Sequence, residues 1–281
     1  MKNTDDTANQ TEPDDAMAAF WREHGDREDI MDGPHGVAML RAARLRAGDR
    51  VLDVGCGAGA TTVDAARQVG PSGTVIGVDI SKPMLEFAAA RVAAAGVTNV
   101  ELVAADAQVY RFRDGDFDAV ISRGGTMFFA DPVAAFSNLA RCLRSGGRLA
   151  MVVPRGPYDD PWIATILTAA APHLGTMDVR SLDEPGPFAF VDGDRLDHIL
   201  EAAGFRTIDR RVLTLPVRIG TDVDDVIGYL LAQPEVQTLL AGRSDGQVSG
   251  AVAAVRQALV PYAGPDGVVM EMSGWLVTAR P

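Results

Sequence analysis

Between residues 50 and 153, five short apolar runs alternate with longer segments of helical period, and this alternation restricts the fold more than any other feature of the chain. The runs are RVLDV (50–54), TVIGVD (74–79), VELVA (100–104), FDAVI (117–121) and GRLAMVV (147–153). They are apolar at successive positions and bounded by Gly, Asp or Pro, as strands covered on both faces are. Helix punctuation fills the connections. Ser81 with Pro83 opens one helix that Gly96 closes, and Asp131 with Pro132 opens another expected to stop at Gly146 and Gly147. In the second, Val133, Phe136, Ala140 and Leu143 recur at helical spacing and should face a sheet. Strands joined this way give right-handed crossovers and a doubly wound, Rossmann-like α/β fold.

The pattern loosens after Pro154. Residues 155–190 are rich in Pro, Gly and Asp around one apolar helix near 161–171. DGDRLDHILEAAGF (192–205) then resumes the core pattern, with a helix ending at Gly204 and a strand near 205–213. Two helices follow, in 222–240 and 247–262, and GVVMEMSGWLVTARP reads as a last strand, antiparallel and at the sheet edge. The expected architecture is a seven-stranded, mostly parallel sheet with an antiparallel last strand and helical cap insertions. Residues 1–15 read as a flexible acidic tail, 16–44 as N-terminal cap helices, and 45–281 as one core with cap insertions at about 155–190 and 215–262.

Composition narrows the partners. A formal charge of −12 without a Lys- or Arg-rich run argues against nucleic acid. The two cysteines, Cys56 and Cys142, build neither a disulfide framework nor a metal site. No stretch approaches the roughly 18 apolar residues of a membrane span, and the N-terminus has no apolar signal core. The expectation is a cytoplasmic protein acting on a small molecule, with no membrane partner; helices of such a cap could exchange between copies in a homo-oligomer.

The loop after the first strand carries the chemistry. VLDVGCGAGA (51–60) contains Gly55-x-Gly57-x-x-Ala60, which fits a dinucleotide fingerprint, and also Gly55-x-Gly57-x-Gly59 behind Asp53. Glycines at a strand–helix turn let backbone approach a ligand without Cβ atoms in the way. The second strand ends at Asp79, a carboxylate able to accept from two ribose hydroxyls, and the third leads to Asp106, able to accept from an adenine amino group beside the Ala107 amide. Asp106 could equally cap a helix, and Asp53 could equally hold the turn through backbone amides. Asp53 separates the two fingerprints. A carboxylate there repels a pyrophosphate but suits the cationic end of S-adenosylmethionine.

VLDVGCGAG, VIGVDIS, VAADAQ, FDAVISRGGTMFF and LRSGGRLAMVV, in this order, resemble the motifs of the class I S-adenosylmethionine-dependent methyltransferases. The resemblance covers about residues 45–155 and is strongest to bacterial small-molecule enzymes of the ubiquinone/menaquinone-biosynthesis type. It implies that Asp53, Gly55, Gly57 and Gly59 serve the methionine end of the cofactor, Asp79 and Ile80 the ribose, and Asp106 with Ala107 the adenine, with Cys56 and Met84 as further cofactor-binding candidates. Ser122 and Arg123 would face the methionine moiety or the substrate. The chain departs from the family's amine-directed pattern after the fourth strand, where it has SRGGTMFF, so the acceptor atom stays open among O, C and N.

No general base is assignable from these motifs. His198 is expected on a helix surface, whereas His24, His35 and His173 lie in cap segments as candidate substrate contacts or bases. Trp21 and Trp162, with Phe20, Phe188, Phe190 and Tyr229, are candidates to line an apolar acceptor pocket or to pack cap against core. Two other readings remain: a nicotinamide oxidoreductase, and a protein that binds S-adenosylmethionine without transferring its methyl group.

Overall fold

Along β1 (Arg50–Val54), Val51 and Leu52 enter different apolar clusters, because successive side chains of a strand point to opposite faces. That alternation, repeated in β2 (Thr74–Asp79) and β4 (Phe117–Arg123), requires helices on both sides of the sheet. The computed structural model describes residues 15–175 and 184–281, with side chains from residue 19. Most of the 1–15 tail and part of the 155–190 insertion lie outside the described residues.

With β3 (Val100–Ala104), β5 (Leu143–Pro154), β6 (Arg206–Gly220), the two-residue β7 (Ala263–Gly264) and β8 (Gly267–Arg280), the sheet has eight strands in the order β3-β2-β1-β4-β5-β8-β6, and β7 pairs with β8. β1 to β5 pair in parallel, and β8 runs antiparallel to both neighbours. The strand order reverses between β1 and β4, the place where open α/β sheets take ligands.

Helices α1 (Asp15–Ala43) and α2 (Ala60–Val69) cover one face through Met39, Leu40, Ala65 and Val69. α3 (Lys82–Ala95) lies beside α2, capped by Ser81 and closed by Gly96. α4 (Pro132–Cys142) and α6 (Gly193–Ala202) cover the other face, where Phe136 is fully buried among Phe129, Phe190 and Phe205. The cap consists of α5 (Pro161–Leu174), α7 (Val223–Ala232), α8 (Pro234–Leu240) and α9 (Asp245–Leu259). Its core joins Met31, Trp162, Val226, Tyr229 and Val255 to the outer halves of β6 and β8. Those halves, from Thr214↔Ser273 to Gly220↔Val268, run beyond the last β5–β8 pair as a two-stranded ribbon.

Four expectations are corrected. The last strand is interior: β8 carries Leu276, Val277 and Ala279 buried, and at Gly274 a Cβ would lie 2.9 Å from the Val153 carbonyl. The edge belongs instead to β6, whose charged RTIDRRVLTLPVR sequence and Pro216 suit a strand with one free side. The cap segment before residue 44 is one helix rather than several, continuous through Pro34. The helix opened by Asp131 ends at Cys142, since Gly146 (φ +76°) and Gly147 belong to an irregular stretch of β5 facing Phe117–Ala119. Finally, β6 extends to Gly220, and the 215–262 region contains three helices where two were expected.

Candidate cofactor and acceptor site

β1 ends one residue before a turn in which Gly55, Gly57 and Gly59 all have positive φ, +64°, +52° and +81°. L side chains are strained there. Gly55 also packs against the 3-10 turn after β4 (Gly125–Phe128), so closely that a Cβ at 55 would lie 2.4 Å from the Gly125 Cα. The turn is pinned to β2 by Gly55 and Cys56 amides donating to the Val78 carbonyl at 2.9 and 3.1 Å. Asp79 completes the brace, its Oδ2 accepting from the Gly57 amide at 2.8 Å and its Oδ1 from the Ser81 amide at 2.9 Å. Burial raises the Asp79 pKa, and these amides oppose the rise. Each oxygen keeps a second lone pair for a ligand.

Asp53 is 1% exposed, and its Oδ2 accepts from the Thr62 hydroxyl at 2.6 Å. Burial pushes its carboxyl up to about 7; Thr62 and Arg123 favour the charged form, and Asp79 disfavours it. A site that already resists one negative charge is ill suited to a pyrophosphate and well suited to a cation. Cys56 turns its Sγ toward Gly77 beneath the loop, and burial raises its pKa, so it is an inert thiol rather than a nucleophile. Met84 is buried with its Cε 3.7 Å from where a Gly57 Cβ would be, and Ile80 is half-buried beside Asp79.

Asp106 caps its own turn, accepting from the Gln108 amide at 2.8 Å, and the Ala107 carbonyl accepts from Asn138 Nδ2 at 3.0 Å. Ser122 is fully buried: its hydroxyl donates to the Val54 carbonyl at 2.8 Å and accepts from the Thr126 amide at 3.3 Å. It thus ties β4 to β1 across the switch point and leaves only its backbone for a ligand. Arg123 runs along α1, its Cδ 3.5 Å from a Cβ at Gly36 and its Nη2 3.7 Å from Asp29 Oδ1.

The cap candidates separate. His24 lies beside Phe20 (4.7 Å between centroids) and Tyr229 (5.8 Å), on the cap side of α1, and Trp21 lies against Gly25 of its own helix. Trp162 is buried in the cap core, and His173 packs against Gly250 of α9. His198 is exposed, as expected. His35 is 4% exposed, and neither ring nitrogen has a hydrogen-bond partner among the described residues. Burial lowers its pKa, against the opposing pull of Asp32, Asp160 and the Leu213 and Met272 backbone.

Sequence reasoning missed the inner face of α1. Glu28 and Asp32, one helical turn apart, share an inward face with the buried Met31, Met39 and the already expected His35, a polar stripe among apolar residues. Glu28 accepts a hydrogen bond from the Tyr229 hydroxyl. Burial pushes its carboxyl up to about 7, with the Tyr229 bond and Arg123 lowering it and Asp32 and Asp29 raising it. Arg27 stacks 4.6 Å over the Tyr229 ring and pairs with Asp225. The stripe itself was the available signal: three ionisable residues in register with the apolar ones.

Among the described residues no cluster of His, Cys, Asp or Glu could hold a metal ion, and no helix is long and apolar enough to cross a membrane.

Comparison with known proteins agrees with this geometry. Residues 51–147 match the family model described as a methyltransferase domain. The nocamycin O-methyltransferase of Saccharothrix syringae is 40% identical over 183 residues, covering 61% of this chain and 64% of that one. The match therefore spans less than two thirds of that relative's length. The demethylmenaquinone methyltransferase of Staphylococcus aureus (strain Newman) is 31% identical over 184 residues, covering 63% of this chain and 76% of that one. Among solved structures, a putative methyltransferase from an antibiotic biosynthesis pathway of Anabaena variabilis shares the fold, with TM-score 0.58 and 17% identity over 91% of this chain and 100% of that one. With the glycine turn, the braced Asp79 and these relatives in hand, the chain belongs to the class I S-adenosylmethionine-dependent methyltransferases.

Proposed function

We propose that this protein transfers a methyl group from S-adenosylmethionine to an O, C or N atom of a medium-sized, partly apolar small molecule in the cytoplasm. The observation that carries the reading is the glycine turn at the sheet's switch point, braced by Asp79 and backed by a buried carboxylate instead of a basic group. The buried free thiols Cys56 and Cys142 suit a reducing compartment. The name of the nocamycin relative, an O-methyltransferase, favours an oxygen acceptor.

When bound, the donor supplies a methyl group on a sulfonium, open to in-line displacement. The chain's residues do the rest. Gly55, Gly57 and Gly59 admit the methionine end, Asp79 and Ile80 take the ribose, and Asp106 with Ala107 takes the adenine. Ser122 and Arg123 supply backbone and charge at the end of β4. α1 and the cap exclude water and align the acceptor, and alignment alone is worth roughly 7–11 kcal/mol. Glu28 is the group best suited to take the acceptor's proton: it is roofed by the cap, hydrogen-bonded to Tyr229, and near neutrality in pKa. His24, beside Tyr229, extends the acceptor wall.

Calorimetric titration with S-adenosylmethionine, S-adenosylhomocysteine and NADPH tests the cofactor. Micromolar binding of the two sulfur ligands and none of NADPH is expected; NADPH binding alone would sink the reading. Transfer of labelled methyl to a panel of hydroxylated polyketides and quinols then tests the reaction. Donor binding with no labelled product across that panel would favour a non-methylating role.

A further inference from the structure

Asp29 of α1 sits between two arginines from different elements. Its Oδ2 pairs with Arg91 Nη2 of α3, and its Oδ1 is 3.7 Å from Arg123 Nη2 at the end of β4, beyond hydrogen-bond distance. Asp29 Oδ1 is buried with no hydrogen-bond partner among the described residues, and so is Arg91 Nη1. Buried polar atoms are seldom left so, because an unmade hydrogen bond costs about 1–3 kcal/mol and more for a charged group. Here an unmet acceptor and an unmet donor occur in one three-residue cluster.

The place is informative. Met84, Ala88 and Arg91 form one stripe of α3, at i, i+4 and i+7. Met84 lies over Gly57, and the Ala88 Cβ is 3.0 Å from where a Cβ at Gly59 would be. Arg91 therefore continues the wall of the glycine turn by one helical turn. From the other side, the Arg123 stem passes Gly36, which also faces the Thr61 hydroxyl at the start of α2. Asp53 acts on Arg123 electrostatically from below. The unmet atoms thus border the methionine end of the turn, under α1.

A ligand that satisfies both must offer a positive donor and a negative acceptor close together, as an α-amino acid does. Resting on the donor assignment above, we propose that Asp29, Arg91 and Arg123 form the zwitterion clamp of the donor. Asp29 Oδ1 accepts from its ammonium, and the two guanidiniums hold its carboxylate. Charge-assisted bonds of this kind are stronger than neutral ones. The clamp recognises the amino-acid end and nothing else of the molecule, so it discriminates S-adenosyl compounds from nucleosides that lack that end.

The test is calorimetry with S-adenosylhomocysteine and with 5′-methylthioadenosine, which has the same nucleoside but no amino-acid group. Wild type, Asp29→Asn, Arg91→Met and Arg91→Lys are compared, with circular dichroism to verify the fold. In Asp29→Asn and Arg91→Met, S-adenosylhomocysteine should bind at least about tenfold more weakly while 5′-methylthioadenosine stays within twofold of wild type. Arg91→Lys should recover part of the loss. Equal weakening of both ligands would assign the cluster a purely structural role and overturn the proposal, as would affinity for both left unchanged. If wild type binds neither ligand, the donor assignment itself falls and takes the clamp with it.

Discussion

Glu28 and Asp53 are acids whose carboxyls burial pushes up to about 7, and the Arg123 charge opposes that rise at both. Their charges should be read out by different experiments. Glu28→Gln should leave S-adenosylhomocysteine affinity within a few-fold and lower turnover of any hydroxyl acceptor by about 10²–10⁴-fold. It should also remove the rise in rate near pH 7; a variant that keeps both rate and rise would exclude Glu28 as the base. For Asp53, a cationic donor favours the ionised form, so affinity for S-adenosylmethionine should increase as pH passes upward through about 7. Asp53→Asn should flatten that dependence, and calorimetry in buffers on either side of neutrality measures it. A slope that survives in the variant would belong to another group.

At the scale of elements, the parallel strands were legible because their signals are local: apolar runs of five or six residues, with a cap or a glycine at each change of period. Pairing is not local. β8 reads as a terminal strand in the chain, yet it lies between β5 and β6, and only its apolar character on both faces hinted at that. The inner face of α1 was missed for a related reason. Glu28, Asp29 and Asp32 look like an ordinary solvated face until α1 packs on Arg123, Arg91 and Tyr229. The shape of the glycine turn was legible because positive φ at Gly55, Gly57 and Gly59 is a local backbone need, whereas the close approach of Gly125 to Gly55 was not. On the opposite sheet face, Phe136→Ala should cost about 3–5 kcal/mol, because α4 offers nothing else of that volume among the rings of Phe129, Phe190 and Phe205. Urea denaturation checks this; a loss under 1 kcal/mol would mean that the face repacks.

For the whole molecule, the raised carboxyls make stability depend on pH with a definite sign. A carboxyl whose folded pKa lies above its unfolded value stabilises the fold below the unfolded pKa, and that contribution is lost as pH rises through the folded one. For Glu28 the window runs from about 4.5 to about 7. Glu28→Gln should therefore match wild type in melting temperature at pH 4.5 and exceed it at pH 8; a constant offset across that range would refute the assignment. The ribbon of β6 and β8 has a consequence of another kind. Everything from residue 215 to residue 272 leaves and re-enters the sheet at one pair, Thr214↔Ser273, whose Cα atoms a β-ladder keeps about 4.5–5.5 Å apart. A descendant could exchange that segment for a different one by matching two adjacent chain ends and the faces of α1 and α5 that Met31 and Trp162 present to it, with β1 to β5 left intact. If the cap covers the acceptor as proposed, most of it is in this sense a replaceable cassette, and substrate range in such a lineage would diversify by swapping it rather than by remodelling the sheet.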